Sequence, residues 1–450
     1  MRTTLLTLLL LLFAASMYGQ EDISLPQNDE IRSMLDEVSA DSLRSYVSQL
    51  VSFGTRHSLS ETESETRGIG AARRWVLEKF QSFSEHNGNR LNAYLDPFIV
   101  EAGRRIPYDV EMKNVVAELP GSDPNDDRVF LVSGHLDSRV TDVMDSISDA
   151  PGANDDASGV ALVIELARVM SKQSFPSTII FMAVSGEEQG LLGASHMAEK
   201  LKADSVNLVA MFNNDMVGNT AASEIDVDDA SRMRIFSETI PAFETEQMER
   251  MRSYTGAEND SRSRQLARYI KLHGETYVPD FEVTLNYRKD RYLRGGDHIP
   301  FTREGFTAVR FCEMNENYLH QHQDVRVEND VQYGDLVDFV NFDYVARITR
   351  VNLASLASLA KAPYAPENVT IQLELGNVSK LNWSPPAHGT APKGYNVLVR
   401  ETYESTWTKK IYVEDTEAAI PYSKDNYFFA IQSVTEDGFT SLPEIPVPRR

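Results

Sequence analysis

The sequence contains a single cysteine among its 450 residues, so no disulfide can close within the chain. Stability must therefore come from a packed core, a bound metal or both. Cys312 sits in the apolar run TAVRFCEM and reads as a small buried hydrophobe, not a reactive thiol. Basic charge is scarce as well: 44 Lys and Arg stand against 67 Asp and Glu, a net charge of -23. Nucleic-acid binding depends on neutralising phosphates with Lys and Arg, so this balance disfavours nucleic acid, and none is expected as a partner. It favours solubility and a weak attraction for cationic groups such as a peptide amino terminus. Long apolar runs are missing too. Leu5 to Ala15 is too short to cross a bilayer, and nothing later is longer. With Arg2 ahead of it and Ala14, Ala15, Ser16 and Gly19 behind, residues 1–19 read as a secretory signal peptide. The expectation is an exported protein, secreted or periplasmic, with no membrane span.

The length allows more than one domain. Ile31, Met34, Leu35 and Val38 recur at helical spacing, as do Leu43, Tyr46, Val47, Leu50 and Val51 before a stop at Gly54. A third amphipathic helix carries Ile69, Ala72, Val76 and Phe80. His57, in the loop after Gly54, reads as structural or solvated. From about 92 to 218 strand and helix alternate, with strands at 93–102, 110–119, 128–134, 178–184 and 206–212 and a helix over 158–171. Nearly continuous apolar strands separated by helices predict an α/β fold, a mainly parallel mixed sheet flanked by helices. In such sheets the functional crevice lies beyond the carboxyl ends of the strands.

Residues 223–292 break that rhythm. They are charge-dense and read as an insertion or lid region, with His273 exposed. The core resumes at 307–314 and closes with a helix over 333–360, giving a first domain over 20–361. After KAPYAPEN the texture changes to short alternating segments, the pattern of a small all-β sandwich over 362–450. Leu381-Asn382-Trp383, Pro385-Pro386, Gly394-Tyr395-Asn396-Val397 and Tyr427 to Ile431 resemble a fibronectin type III domain. That resemblance implies an adhesive or spacer module making surface or polymer contact, without catalytic residues.

The chemistry is read from the strand ends. TIIFMAVSGEEQGLLG places Glu187 and Glu188 just past a buried strand. Gly134-His135-Leu136-Asp137 follows another, and Asn154-Asp155-Asp156-Ala157-Ser158-Gly159 precedes a helix. Asn213-Asn214-Asp215 and His320-Gln321-His322-Gln323-Asp324 follow two more. Imidazole and carboxylate together suit zinc. One carboxylate using both oxygens can bridge two ions. One His and one acid for each ion then leave a Glu free to move a proton.

These motifs resemble those of the co-catalytic di-zinc aminopeptidases, metallopeptidase family twenty-eight, over residues 40 to 360. The resemblance implies that His135 and Asp215 hold one zinc and Glu188 and His320 the other, that Asp155 bridges the two, and that the peptide bond between Asp155 and Asp156 is cis. Glu187 would be the general base. Asp137 would orient His135, and Asp297 in GDHIPF would do the same for His320. Three departures stand out: Gly296 where Ser is usual, Asn214 where an apolar residue is usual, and Gln321 with Val325 where threonines are usual. The last makes His322 a rival to His320, and the four-residue step to Asp324 selects His320. The implied function is removal of amino-terminal residues from peptides with a free amino terminus, using two zinc ions. The alternatives are a glutaminyl cyclase-like enzyme with one zinc, which the intact Asn154 to Gly159 run disfavours, and a non-catalytic binding ectodomain on the same fold. Carboxypeptidase activity on the same scaffold is a weaker option, because no arginine cluster can be assigned to hold a substrate carboxylate.

Overall fold

The computed structural model describes residues 20–449; the segment read as a signal peptide, 1–19, lies outside them. Three helices come first: α1 (Asp29–Asp36), α2 (Ala40–Ser52) and α3 (Gly68–His86). Asn28 and Ser39 cap the first two by accepting backbone N–H groups. The apolar residues at helical spacing face inward, with Ile31, Leu43, Val47, Leu50, Ala72, Val76 and Phe80 fully buried.

Eight strands form the main sheet: β1 (Asn92–Val100), β2 (Val110–Leu119), β3 (Arg128–His135), β4 (Thr178–Val184), β5 (Asn207–Asn214), β6 (Arg232–Ser237), β7 (Glu282–Asn286) and β8 (Ala308–Glu313). Their order across the sheet is β1-β2-β4-β3-β5-β8-β6-β7. The four central strands β4, β3, β5 and β8 are mutually parallel. Their carboxyl ends therefore line one edge, with His135 level with Val184. These strands are apolar almost without interruption because helices cover both faces. On one face α4 (Ala157–Met170), α7 (Arg262–Tyr277) and α9 (Phe342–Lys361) pack with α1 to α3. On the other lie α5 (Leu192–Ala203) and α8 (His298–Arg303). Among the described residues no helix is long and apolar enough to cross a membrane.

The structure corrects several expectations. Residues 223–292 are not simply an insertion: β6 and β7 extend the sheet, β6 pairing antiparallel with β8 and parallel with β7. The alternation in RMRIFS hides this, because Met233 and Ile235 are buried while Arg232 and Arg234 are only half-buried. Within the segment, α7 is largely buried against α9, whereas α6 (Glu246–Thr255) buries no residue. His273, read as exposed, is buried and stacks on Tyr269 with ring centroids 3.8 Å apart. His57, read as structural or solvated, is fully buried, its Nε2 2.9 Å from the Val143 carbonyl, in keeping with the first of those readings. The last helix begins at Phe342, capped by Asn341, after a short helical turn at Val337–Phe339.

Beyond α9 two four-stranded sheets pack face to face. One holds Gly394–Glu401, Lys409–Val413 and Tyr427–Val434; the other holds Glu367–Gln372, Ser379–Ser384, Glu417–Ile420 and Val447–Arg449. Their shared core includes Leu381, Trp383, Tyr395, Val397, Ile411 and Ile431. The fourth strand of the first sheet is Gln20–Asp22, antiparallel to Lys409–Ile411, so those residues pair with the small sheets and not with the main one. A buried ion cluster joins the two regions: Asp260 accepts from Arg268 at 3.0 Å and from Arg400 at 2.7 Å. Beside it Trp407 Nε1 donates to Gln265 Oε1 at 3.1 Å.

Candidate metal centre

The carboxyl edge of β3, β4 and β5 gathers the acids and imidazoles. His135, the last residue of β3, donates from Nδ1 to the Asp137 carbonyl at 3.0 Å. That bond fixes the tautomer and leaves the Nε2 lone pair free, the arrangement a metal-binding imidazole needs. Nε2 lies 3.0 Å from Asp155 Oδ1 and 3.8 Å from Asp215 Oδ1. On the other side of Asp155, His322 Nε2 lies 3.0 Å from Oδ2 and 2.8 Å from Glu188 Oε1. Two triads result, His135–Asp155–Asp215 and Asp155–Glu188–His322, and Asp155 belongs to both.

Neighbouring carboxylates hold these side chains in place. Asp156, joined to Asp155 by a cis peptide bond, caps α4 by accepting from Gly159 N and also accepts from His135 N and Met216 N. One carboxylate thereby ties the ends of β3 and β5 to the start of α4. Asp137 was expected to orient His135 through its carboxylate, but its backbone carbonyl does so. Its carboxylate instead accepts from the backbone N–H groups of Gly186, Glu187 and Glu188 at 3.0–3.1 Å and from Ser58 Oγ. It therefore fixes the turn carrying both glutamates. Asp335 does the same for the residue the two triads share, accepting from the backbone N–H groups of Asn154 and Asp155.

The position expected for His320 needs correction. His320 stacks on Phe339, ring centroids 3.7 Å apart, and joins neither triad. Burial pushes its imidazole down to about 4. The chain between them turns through His322 at φ 55°, which brings the ring two residues later to Glu188 and Asp155. Asp297, assigned to orient that histidine, is also elsewhere. Burial lifts its carboxyl to about 8, with His135, Asp137 and Asp215 as its charged neighbours. Neither of its oxygens has a hydrogen-bond partner.

The departures from the family pattern acquire local reasons. Asn214 exchanges amide hydrogen bonds with Asn352 of α9 at 2.9 and 3.1 Å, a buried reciprocal pair. A Cβ at Gly296 would meet Arg310 Nη1 at 3.0 Å. Arg310 is fully buried, 2.7 Å from Asp215 Oδ1 and 3.2 Å from Asp290. Gln321 donates to Asp155 Oδ2 at 3.1 Å. Arg139, unremarked in the sequence, lies 2.9 Å from Glu188 Oε2 and 2.6 Å from His322 Nδ1.

The pocket is crowded with negative charge. Burial, reinforced by Asp215, Glu188 and Asp297 against the pull of His135, holds Glu187 well above the usual carboxylate range. Burial does the same to Asp156, aided by Asp215 and Asp155, and lifts Asp335 to about 7. Burial works against Asp155 ionising, but His135 and His322 hold it well below its ordinary value. Buried carboxylates are retained when paired or when they coordinate metal. Glu188 Oε1, Asp215 Oδ1 and His322 Nε2 are buried, and among the described residues they meet charged neighbours at 2.7–3.0 Å without hydrogen-bond alignment. Each belongs to a residue of one of the triads. Oxygen and imidazole donors so arranged fit divalent cations of the zinc kind.

A mixed sheet with helices on both faces, and two triads sharing a carboxylate at its parallel edge, defines the class: a metallohydrolase of the αβα type. The chain belongs to peptidase family M28, whose family model matches residues 114–337. It is 44% identical over 422 residues, 93% of this chain and 97% of the relative, to a probable zinc metalloprotease of Leptosphaeria maculans. A second probable zinc metalloprotease, from Pyricularia oryzae, is 45% identical over 431 residues, 94% of this chain and 85% of the relative. Among solved structures, the LapA aminopeptidase of Legionella pneumophila superposes with a TM-score of 0.53 at 19% identity, covering 76% of this chain and 78% of that one. At that identity the likeness is one of fold.

Proposed function

We propose that the protein is a zinc-dependent aminopeptidase with two metal positions sharing Asp155, and that Glu187 is its general base. The observation that carries this reading is the pair of triads meeting at one carboxylate, with a further glutamate fixed beside them. His135 and Asp215 would hold one zinc, Glu188 and His322 the other. Zinc supplies Lewis acidity and brings the pKa of water towards about 7. The remaining work falls to the chain. Asp137 fixes the backbone of Glu187, whose carboxylate takes the proton of the attacking water and delivers it to the leaving nitrogen as the C–N bond breaks. Such proton transfer contributes about 10²–10⁴ in rate. The carboxylates around Glu187 favour a cationic amino terminus there. The sequence before residue 20 supports export, and the alternating pattern after 362 supports a fibronectin type III-like accessory module.

The test is a panel of aminoacyl anilides, their N-acetylated forms and a glutaminyl peptide, run with measured metal content. Hydrolysis that needs the free amine and about two zincs per chain is expected. Cyclisation of the glutaminyl peptide with one zinc, or a metal-free inert protein, would replace this reading with one of its rivals.

A further inference from the structure

Three guanidinium groups gather on one half of the centre. The loop between β1 and β2 carries Gly103-Arg104-Arg105, and Arg105 Nη1 donates to the Glu188 carbonyl at 2.7 Å. Arg139 lies against the Glu188 carboxylate and the His322 ring. Arg294 pairs through Nη2 with Glu316 at 2.7–2.9 Å, while its Nη1 reaches Gln321 Oε1 at 3.5 Å, and the same Gln321 donates to Asp155. Each arginine is thus within two contacts of the Asp155–Glu188–His322 triad. None is fully buried: Arg139 keeps 19% of its side-chain surface and Arg294 35%, while Arg105 is half-buried. Among the described residues, Arg139 Nη1 and Arg105 Nε and Nη2 have no hydrogen-bond partner.

The other half of the centre differs. Arg310 and Arg291 there are buried and committed to Asp215 and Asp290, and the groups around Glu187 are acids. The centre is therefore polarised, acidic beside His135 and Asp215 and basic at the accessible side of Glu188 and His322. Basic groups gathered at a site mouth are unexpected in a chain of net charge -23. Guanidinium is the group best shaped to grip a carboxylate, through two parallel N–H bonds.

We propose that Arg105, Arg139 and Arg294 bind a carboxylate of the substrate, so that the preferred substrates are peptides with an anion close to the scissile bond. This rests on the aminopeptidase reading above and deepens it. Two sources supply the same chemistry: the α-carboxylate of a dipeptide, or an acidic side chain.

The experiment compares leucyl-alanine with leucyl-alaninamide, and glutamyl anilide with leucyl anilide. Turnover is followed in the zinc-loaded enzyme, and binding of the first pair by calorimetry in zinc-loaded Glu187→Gln. The α-carboxylate source predicts about a tenfold preference for the acid over its amide in both readouts, shrinking as salt rises. The side-chain source predicts a similar preference for the glutamyl anilide. In the double variant Arg105→Gln, Arg294→Gln the favoured ratio, read within that variant, falls towards one. The proposal is overturned if both wild-type ratios stay below about threefold. Failure of the underlying reading looks different: no anilide is hydrolysed by the metal-loaded protein.

Discussion

The molecule holds two buried clusters of charge, and they are built in opposite ways. At the joint between the main sheet and the small sheets, Arg268 and Arg400 converge on Asp260 with hydrogen bonds to each. That cluster is closed, its carboxylate bonded on both oxygens. At the carboxyl edge of β3 to β5 the acids outnumber their basic partners, and two triads of His and carboxylate atoms meet at Asp155. The joint is complete as a structural device, whereas the metal centre is complete only with a cation. Burial alone does not separate the two clusters, but the balance does: one acid between two guanidinium groups at the joint, an excess of acids at the metal centre.

This contrast can be broken in graded ways. The largest effect should come from Glu187→Gln, with kcat down by about 10²–10⁴ and zinc content measured by mass spectrometry unchanged. Loss of zinc from that variant would make Glu187 a ligand and not a base. Next, Asp260→Ala should leave two buried guanidinium groups uncompensated and cost about 3–5 kcal/mol in a denaturant titration, with the zinc content of the folded fraction unaffected. His322→Ala should remove one zinc per chain, and His320→Ala should leave stoichiometry intact. The reverse pattern would restore the spacing-based choice.

The smallest effect concerns pH. Burial lowers His273 from 6.5 to about 4, so the unfolded chain binds more protons between those values. Its contribution to stability is full above pH 6.5 and falls away as pH drops towards about 4. At about 1.36 kcal/mol per unit the effect is at most about 3 kcal/mol. His273→Phe should flatten that part of the stability–pH curve, and an unchanged slope would remove His273 as its source.

Much of the architecture was legible because the central strands are almost unbroken apolar runs and the amphipathic helices keep a clear period. β6 and β7 were missed because they are short and lie at the side of the sheet, where the alternation in RMRIFS resembles charged loop. At the centre, His135, Asp155, Glu188 and Asp215 follow or precede elements whose ends are readable, and the structure brings them together. His320 and His322 lie in an irregular loop, where spacing says nothing about direction. The positive φ of His322 and the ring of Phe339 decide between them, and neither is a local sequence signal. Asp335 was lost because residues 333–341 were read as helix, although Gly334, at φ 107°, and Asn341 both argue for a later start. Arg105 reaches the centre from a loop distant in sequence, and Arg139, only four residues past His135, carries no local signal that its side chain turns back to Glu188.

The strand Gln20–Asp22 has a consequence for assembly. It completes a sheet whose other members begin at Gly394, so its partner emerges only near the end of synthesis. Chains grow from the amino terminus and domains tend to fold as they appear. The leading segment must therefore wait, unpaired, while the main sheet forms behind it, and fastening that buckle is among the last events of maturation.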